Sequence, residues 1–305
     1  MITTFPLPAM RNAAGDTSPA TRAQWPNANG EDFDMTHEFK ATSFAIGDDG
    51  IARFTMTRGD ILNPLTQDLR NDFVAMLDQV QGNMDVKALI IAGEGRAFSA
   101  GGDVKGMAKR EFADPTVAQQ RMYSTHNWLE RLWNLDCPVI AAVDGLAYGG
   151  GFAFALLADF VFAGPKARFC SVFGRIGLMP DLGLVYTLPR VVGMQAAKDL
   201  MYTCRSVDVD EAKAMGIVYG IHPSETLMDE VETFAARLAQ GSKAAMSVTK
   251  RAVNKTFEAS YADTVTAEST GQPLLFTTDF HKEATRRFVS KEPSLYDWDR
   301  MNKSG

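Results

Sequence analysis

Three consecutive glycines, Gly149 to Gly151, stand between the strand-like run VIAAV and the apolar run FAFALLAD. In the first turn of a helix beginning here, the peptide N–H groups of Gly150 and Gly151 have no intrahelical acceptor and lie at the positive end of the helix dipole. A second glycine-rich loop, AGEGRAFSAGGDVKGM (92–107), follows another strand-like run and offers the N–H of Gly102. Two such donors around one oxygen form an oxyanion hole, in which losing one donor costs about 10²–10³ in rate. The glycines equally suit close strand–helix packing. Asp181, in GRIGLMPDLG, sits in a turn marked by Pro180 and Gly183. Its apolar neighbours Ile176, Leu178, Met179 and Leu182 are expected to desolvate it, which raises a carboxyl pKa and strengthens the anion as a base toward a carbon acid. An Asx turn is the plainer role for such an aspartate. His126 shares a helical face with Met122, Leu129 and Trp133 and is expected to point inward, either as a satisfied core residue or as a pocket group.

Other chemistries find little footing. Gly93 and Gly95 begin a GxG pattern, but Phe98 occupies the third glycine position, and there is no GxxxxGK[ST]. The four histidines, His37, His126, His222 and His281, are scattered with no HExxH, so no metal site is expected. Cys137, Cys170 and Cys204 are an odd, unclustered set without CxxC, which points to buried apolar fillers in a reducing compartment. A net charge of −6 argues against nucleic acid as partner. No apolar run reaches the ~18 residues of a membrane span, and the opening residues lack a secretory pattern. A cytoplasmic enzyme is expected.

The elements that must position these residues are legible as alternating strand and helix patterns. SFAIGDDGIARFTMT (43–57) has the signature of a hairpin around GDDG. QDLRNDFVAMLDQVQ (67–81) places Leu69, Phe73, Leu77 and Val80 on one helical face. VKALIIAG (86–93) and PVIAAV (138–143) are buried-strand candidates, with a helix between them over 116–136. The order fits either a doubly wound sheet or a β-β-α spiral. From about 193 the pattern is helical, with Ser224 as a candidate N-cap. The expected division is a disordered or loosely docked arm over 1–38, an α/β core over 39–200 and a helical region over 201–305.

The motifs GRAFSAGGDVKGM, PVIAAVDGLAYGGGFAFALLADFVFAG, ARFCSVFGRIGLMPDLGLVYTLPRVVG and EAKAMGIV, in this order and spacing, resemble the crotonase (enoyl-CoA hydratase/isomerase) superfamily from about residue 43 to 292. The resemblance implies a β-β-α superhelical core and a C-terminal helical region that assembles chains into trimers or dimers of trimers. It also implies acyl-CoA thioester substrates, with no cofactor beyond the CoA moiety. By motif position it puts the oxyanion hole on the N–H groups of Gly102 and Gly150. Ala100, Asp103 and Val104 take the loop positions that meet CoA in relatives. Arg58 lies near a basic position after the second strand, although TRGDILNP departs from the usual spacing. Phe288 and Lys291, in RRFVSKEP, match residues that reach CoA in relatives, in their own or a neighbouring subunit. The 105–122 stretch is expected to shape the acyl pocket.

Where hydratases of this family resemble one another in two glutamates, this chain has Ala153 and Phe173. Asp181 resembles the catalytic aspartate of dienoyl-CoA and ring-epoxide isomerases, and also the nucleophilic aspartate of 4-chlorobenzoyl-CoA dehalogenase. His126 and Phe173 fall where the dehalogenase carries a pocket histidine and an aromatic residue. The leading expectation is an isomerase with Asp181 as single proton shuttle. A dehalogenase-like or C–C bond hydrolase or hydratase activity using Asp181 with His126 stands second. A non-catalytic acyl-CoA-binding scaffold is the alternative from another class.

Overall fold

The computed structural model describes residues 37–108 and 114–301. The expected arm, apart from His37 and Glu38, lies outside the described residues, as do 109–113 of the expected pocket stretch. Strands β1 (Thr42–Ile46) and β2 (Ile51–Met56) form the hairpin anticipated around GDDG, and Gly50 closes its turn at φ 78°. Helix α1 (Gln67–Val80) starts where the Thr66 side chain accepts the Leu69 N–H. Then follow β3 (Ala88–Gly93), β4 (Ala97–Ser99), the short α2 (Val104–Ala108) and α3 (Pro115–Trp133). The next pass brings β5 (Val139–Val143), β6 (Leu146–Tyr148) and α4 (Gly150–Ala155). It is followed by β7 (Phe160–Ala163) and β8 (Arg168–Cys170).

Strand order decides between the two architectures left open by the sequence pattern. One sheet runs β1-β2-β3-β5-β7 and a second runs β4-β6-β8, so each pass of the chain gives one strand to each sheet before returning through a helix. That is a β-β-α spiral. Strands β3 and β5 are buried on both faces, as a parallel sheet covered from both sides requires. Leu89, Ile91, Val139 and Ala141 face the main core, whereas Ala88, Ile90, Ile140 and Ala142 pack with the later helix Leu227–Leu238.

Because β4, β6 and β8 are parallel neighbours, their C-terminal ends leave the sheet on one edge. Three loops therefore emerge side by side: Ala100–Gly102, Gly149–Gly150 and Ser171–Phe173. Ligands of parallel sheets gather at such carboxyl ends. Behind α4, Phe154 meets Phe73 edge-on at 4.4 Å and stacks on Phe98 at 6.2 Å, and Phe73 stacks on Trp128 at 5.4 Å. These rings tie α1, α3, β4 and α4 into one aromatic core that fixes where α4 begins.

Beyond β8 the chain forms α5 (Leu184–Val192), α6 (Met194–Thr203), β9 (Ser206–Asp208), α7 (Val209–Ala214) and β10 (Gly220–Ile221). Strand β9 pairs with β8 and β10 with β7, so the 201–305 span is not helical throughout; the sheets extend to Ile221. Helices α8 (Leu227–Leu238), α9 (Lys243–Asn254), α10 (Tyr261–Phe276) and α11 (Asp279–Val289) follow. Ser224 does not cap α8; its hydroxyl donates to Asp144 at 3.0 Å, and Thr226 takes the N-cap position. Among the described residues no helix is long and apolar enough to cross a membrane.

One polar residue of the α1 core face escaped the periodicity. Asp72 is 1 % exposed and accepts the N–H groups of Lys40 and Ala41 (3.1 and 2.8 Å), the Thr42 hydroxyl (3.0 Å) and His37 Nε2 (2.8 Å). This carboxylate staples the chain entering β1 onto α1. Hydrogen bonds to a charged group contribute about 1.5–3 kcal/mol, and orphaned donors add a penalty. Asp72→Ala is therefore expected to lower stability by about 3 kcal/mol in urea unfolding, whereas Asp48→Ala, on the exposed turn, should stay within about 0.5 kcal/mol.

Candidate active site

The two glycine loops meet backbone to backbone. Gly101, at φ 85°, lies so close to the second loop that a Cβ there would stand 2.6 Å from the Tyr148 carbonyl oxygen and 2.7 Å from the Gly150 nitrogen. A Cβ on Gly151 would collide with the Ser99 carbonyl oxygen. Close packing and bare donors thus coexist in this stretch. The first loop is held by Leu65 N–H to Gly101 O (2.8 Å), Ala100 N–H to Leu62 O (2.9 Å) and the Ser99 hydroxyl to Asn63 O (2.7 Å). Among the described residues no acceptor pairs with the N–H of Gly102 or of Gly150.

Both glycines line one small cavity of about 80 Å³, together with Ala100, Val104, Phe173 and Asp181. Leu65, Met107, Val172, Ile176, Leu178 and Leu182 supply apolar wall, and Thr125 and Arg70 are its other polar side chains. Asp181 is the one acidic side chain among the described residues lining it. Burial pushes the Asp181 carboxyl above the usual carboxylate range; the nearby His126 and Arg70 oppose that shift through space. Of the neighbours expected to desolvate Asp181, Ile176, Leu178 and Leu182 line the cavity, whereas Met179 is 72 % exposed. Asp181 also has its carbonyl bound by the Leu184 N–H (3.0 Å), and Leu182 next to it sits at φ 53°.

His126 differs from its expected inward orientation. The buried stripe of α3 is Thr125, Trp128, Leu129 and Leu132, which leaves His126 on the exposed shoulder. It lines a neighbouring cleft with Leu129, Trp133, Leu182, Gly183 and Tyr186. Thr125 takes the cavity position; apolar periodicity skipped it because threonine carries no hydrophobic signal.

Other site candidates divide. The Asp103 carboxylate accepts the Gly106 N–H at 2.9 Å and so holds the turn into α2. Arg58 is exposed and pairs with Asp60 at 3.3 Å, outside the cavity. Phe288, 84 % exposed, and Lys291 stand at the end of α11 and do not line the cavity of their own chain. Ala153 is fully buried in the core behind the cavity. Arg70 was missed: it follows Leu69 on α1, and nothing in the α1 pattern distinguishes a cavity-facing arginine from a solvated one.

The spiral of paired strands with its cavity at their carboxyl ends defines a crotonase-type fold. The enoyl-CoA hydratase/isomerase family profile matches residues 47–299. A Mycobacterium tuberculosis protein named "Probable enoyl-CoA hydratase echA8" is 32% identical over 257 residues, covering 84% of this chain and 97% of that protein. The mitochondrial enoyl-CoA hydratase of Pongo abelii is 32% identical over 241 residues, covering 79% of this chain and 81% of its own. The crystal structure of an enoyl-CoA hydratase/isomerase from Cupriavidus metallidurans CH34 superposes with a TM-score of 0.81 at 33% identity, covering 85% of this chain and 97% of that one. This chain belongs to the enoyl-CoA hydratase/isomerase family.

The electrostatics of Asp181 give a titration test. Arg70 favours the ionised carboxylate, so Arg70→Leu should raise the Asp181 pKa further, read by carboxyl ¹³C NMR. Because the folded pKa lies above the ordinary ~3.9, folding takes up protons at this site, and stability falls as pH rises through that window. An Asp181→Asn variant should lose that component of the pH dependence.

Proposed function

We propose that the protein is an acyl-CoA isomerase that stabilises a thioester enolate between the N–H groups of Gly102 and Gly150, with Asp181 moving the proton. The observation that carries this reading is the shared cavity: two donors without acceptors and a single desolvated carboxylate, in a mostly apolar wall whose other polar side chains are Thr125 and Arg70. Asp181 takes a proton from the carbon next to the thioester carbonyl. The charge then develops on the carbonyl oxygen, where both donors converge, and the acid returns the proton to another carbon on the same face. One base suffices for that sequence.

The relatives are named hydratases, yet simple hydration in this family's manner uses two acids around a water. The two corresponding positions here are the core residue Ala153 and the apolar wall residue Phe173, and each missing acid–base group is worth about 10²–10⁴ in rate. A dehalogenase-like or C–C hydrolase route would pair Asp181 with His126 across a water. The position of His126 in the neighbouring cleft gives that pairing less support than the single-base route. A binding scaffold has no use for a desolvated base beside free donors.

Assembly through the C-terminal helices belongs to the same proposal. Helix α10 buries only Gly271 and exposes Tyr261, Leu274 and Phe276, an apolar surface suited to further copies of this chain in a trimer or dimer of trimers. Phe288 and Lys291 would then face a neighbour's CoA.

A panel of enoyl-CoA thioesters incubated in heavy water tests the reaction. The wild type should move the double bond, with or without exchange of the shuttled proton for deuterium, and without adding water, and Asp181→Asn should lose about 10²–10⁴ in kcat/KM. Full activity in Asp181→Asn on the wild type's substrate would refute the role of Asp181, and binding without turnover across the panel would favour the scaffold.

A further inference from the structure

The inner cavity is too small for the acyl group of most thioesters. At about 80 Å³ it falls below the ~150 Å³ of a cavity that admits benzene, and far below the ~300 Å³ of the smallest ordinary ligand sites. A second space of about 390 Å³ adjoins it. Leu182 lines both. The residues around this partition fall on opposite sides of it: Asp181 and Thr125 face the inner cavity, and Gly183 and His126 the outer cleft.

The outer cleft has an aromatic floor, Trp133 and Tyr186, set among polar residues that include Glu130, Asn254, Lys255 and Glu258. Trp133 meets Tyr186 edge-on at 6.0 Å, and the Arg190 guanidinium lies 3.4 Å over the Tyr186 ring. The Tyr186 hydroxyl donates to Glu258 at 2.5 Å, and Arg190 donates to the same carboxylate at 2.7 Å. Rings held this way present an apolar floor with little freedom left to lose on binding. Leu182 itself is buried, in the left-handed region that leucine ordinarily avoids, between the site aspartate and a glycine at φ 84°. Its Cδ1 also reaches toward the Gly150 backbone, 2.8 Å from where a Cβ would stand.

We propose that Leu182 is the partition that sets acyl specificity. The thioester carbonyl and its first carbons occupy the inner cavity, and an apolar or aromatic distal segment passes Leu182 into the outer cleft against Trp133 and Tyr186. The substrate class is then a medium-chain or ring-bearing acyl-CoA. This rests on the acyl-CoA reading above and adds to it the identity of the size-determining residue.

The test uses binding, which needs no turnover. Dissociation constants of butyryl-, octanoyl- and phenylacetyl-CoA are measured for the wild type, for Leu182→Ala, and for Glu130→Trp, which fills the outer cleft from an exposed position on α3. The preference for the long and aromatic thioesters over butyryl-CoA should rise about tenfold in Leu182→Ala and fall about tenfold in Glu130→Trp, the scale of one or two hydrophobic groups in a pocket. Preferences unmoved in both variants would overturn the proposal. So would a loss of self-association in Glu130→Trp with unchanged preference, which would make the cleft a contact between copies. If the wild type binds none of the three thioesters, the acyl-CoA reading fails instead, so the two failures are distinguishable.

Discussion

The site depends on one close approach: the backbone of Gly101 and Gly102 against that of Gly149 to Gly151. Side chains cannot enter this contact, because a Cβ on Gly101 or Gly151 meets backbone atoms of the opposite loop. The approach is maintained from both sides. Parallel pairing of β4 with β6 brings the strand ends level, and the Asn63–Leu65 segment anchors the first loop through Ser99 and Gly101. Phe154, locked among Phe73, Phe98 and Trp128, fixes the start of α4 from behind. Dozens of core residues thereby set the positions of two peptide N–H groups.

A second constraint is the balance of charge on the cavity wall. Desolvation raises the pKa of Asp181, while Arg70 and His126 pull it down through space. Burial and neighbouring charge thus act on Asp181 in opposite directions, with burial the larger influence. Phe173 belongs to the same balance, since an acid at this wall position would raise the Asp181 pKa through like-charge repulsion. A single acid in the cavity suits the proposed proton transfer between carbons.

Much of this was legible in the residues. The apolar runs of β3 and β5, the period of α1 and the two glycine stretches identified the elements, and the turn chemistry around Asp181 singled it out. What escaped shares a physical cause: polar side chains whose role depends on a distant partner. Asp72 looks like a solvent-facing helix residue until the chain before β1 supplies its donors. Arg70 and Thr125 carry no apolar signal, so their cavity positions emerge only when α1 and α3 pack together. His126 was displaced by one step of helical phase, about 100°, which pattern alone leaves undetermined. Ser224 lost its expected capping role to a contact with Asp144, eighty residues away in sequence.

The central claim is that the thioester oxygen lies between the N–H groups of Gly102 and Gly150. Isotope-edited infrared spectroscopy of a bound acyl-CoA labelled with ¹³C at the thioester carbonyl measures that polarisation directly. Two donors converging on the oxygen should lower the carbonyl stretch relative to the same thioester free in water. A bound thioester whose carbonyl stretch stays at or above its value in water would contradict the account.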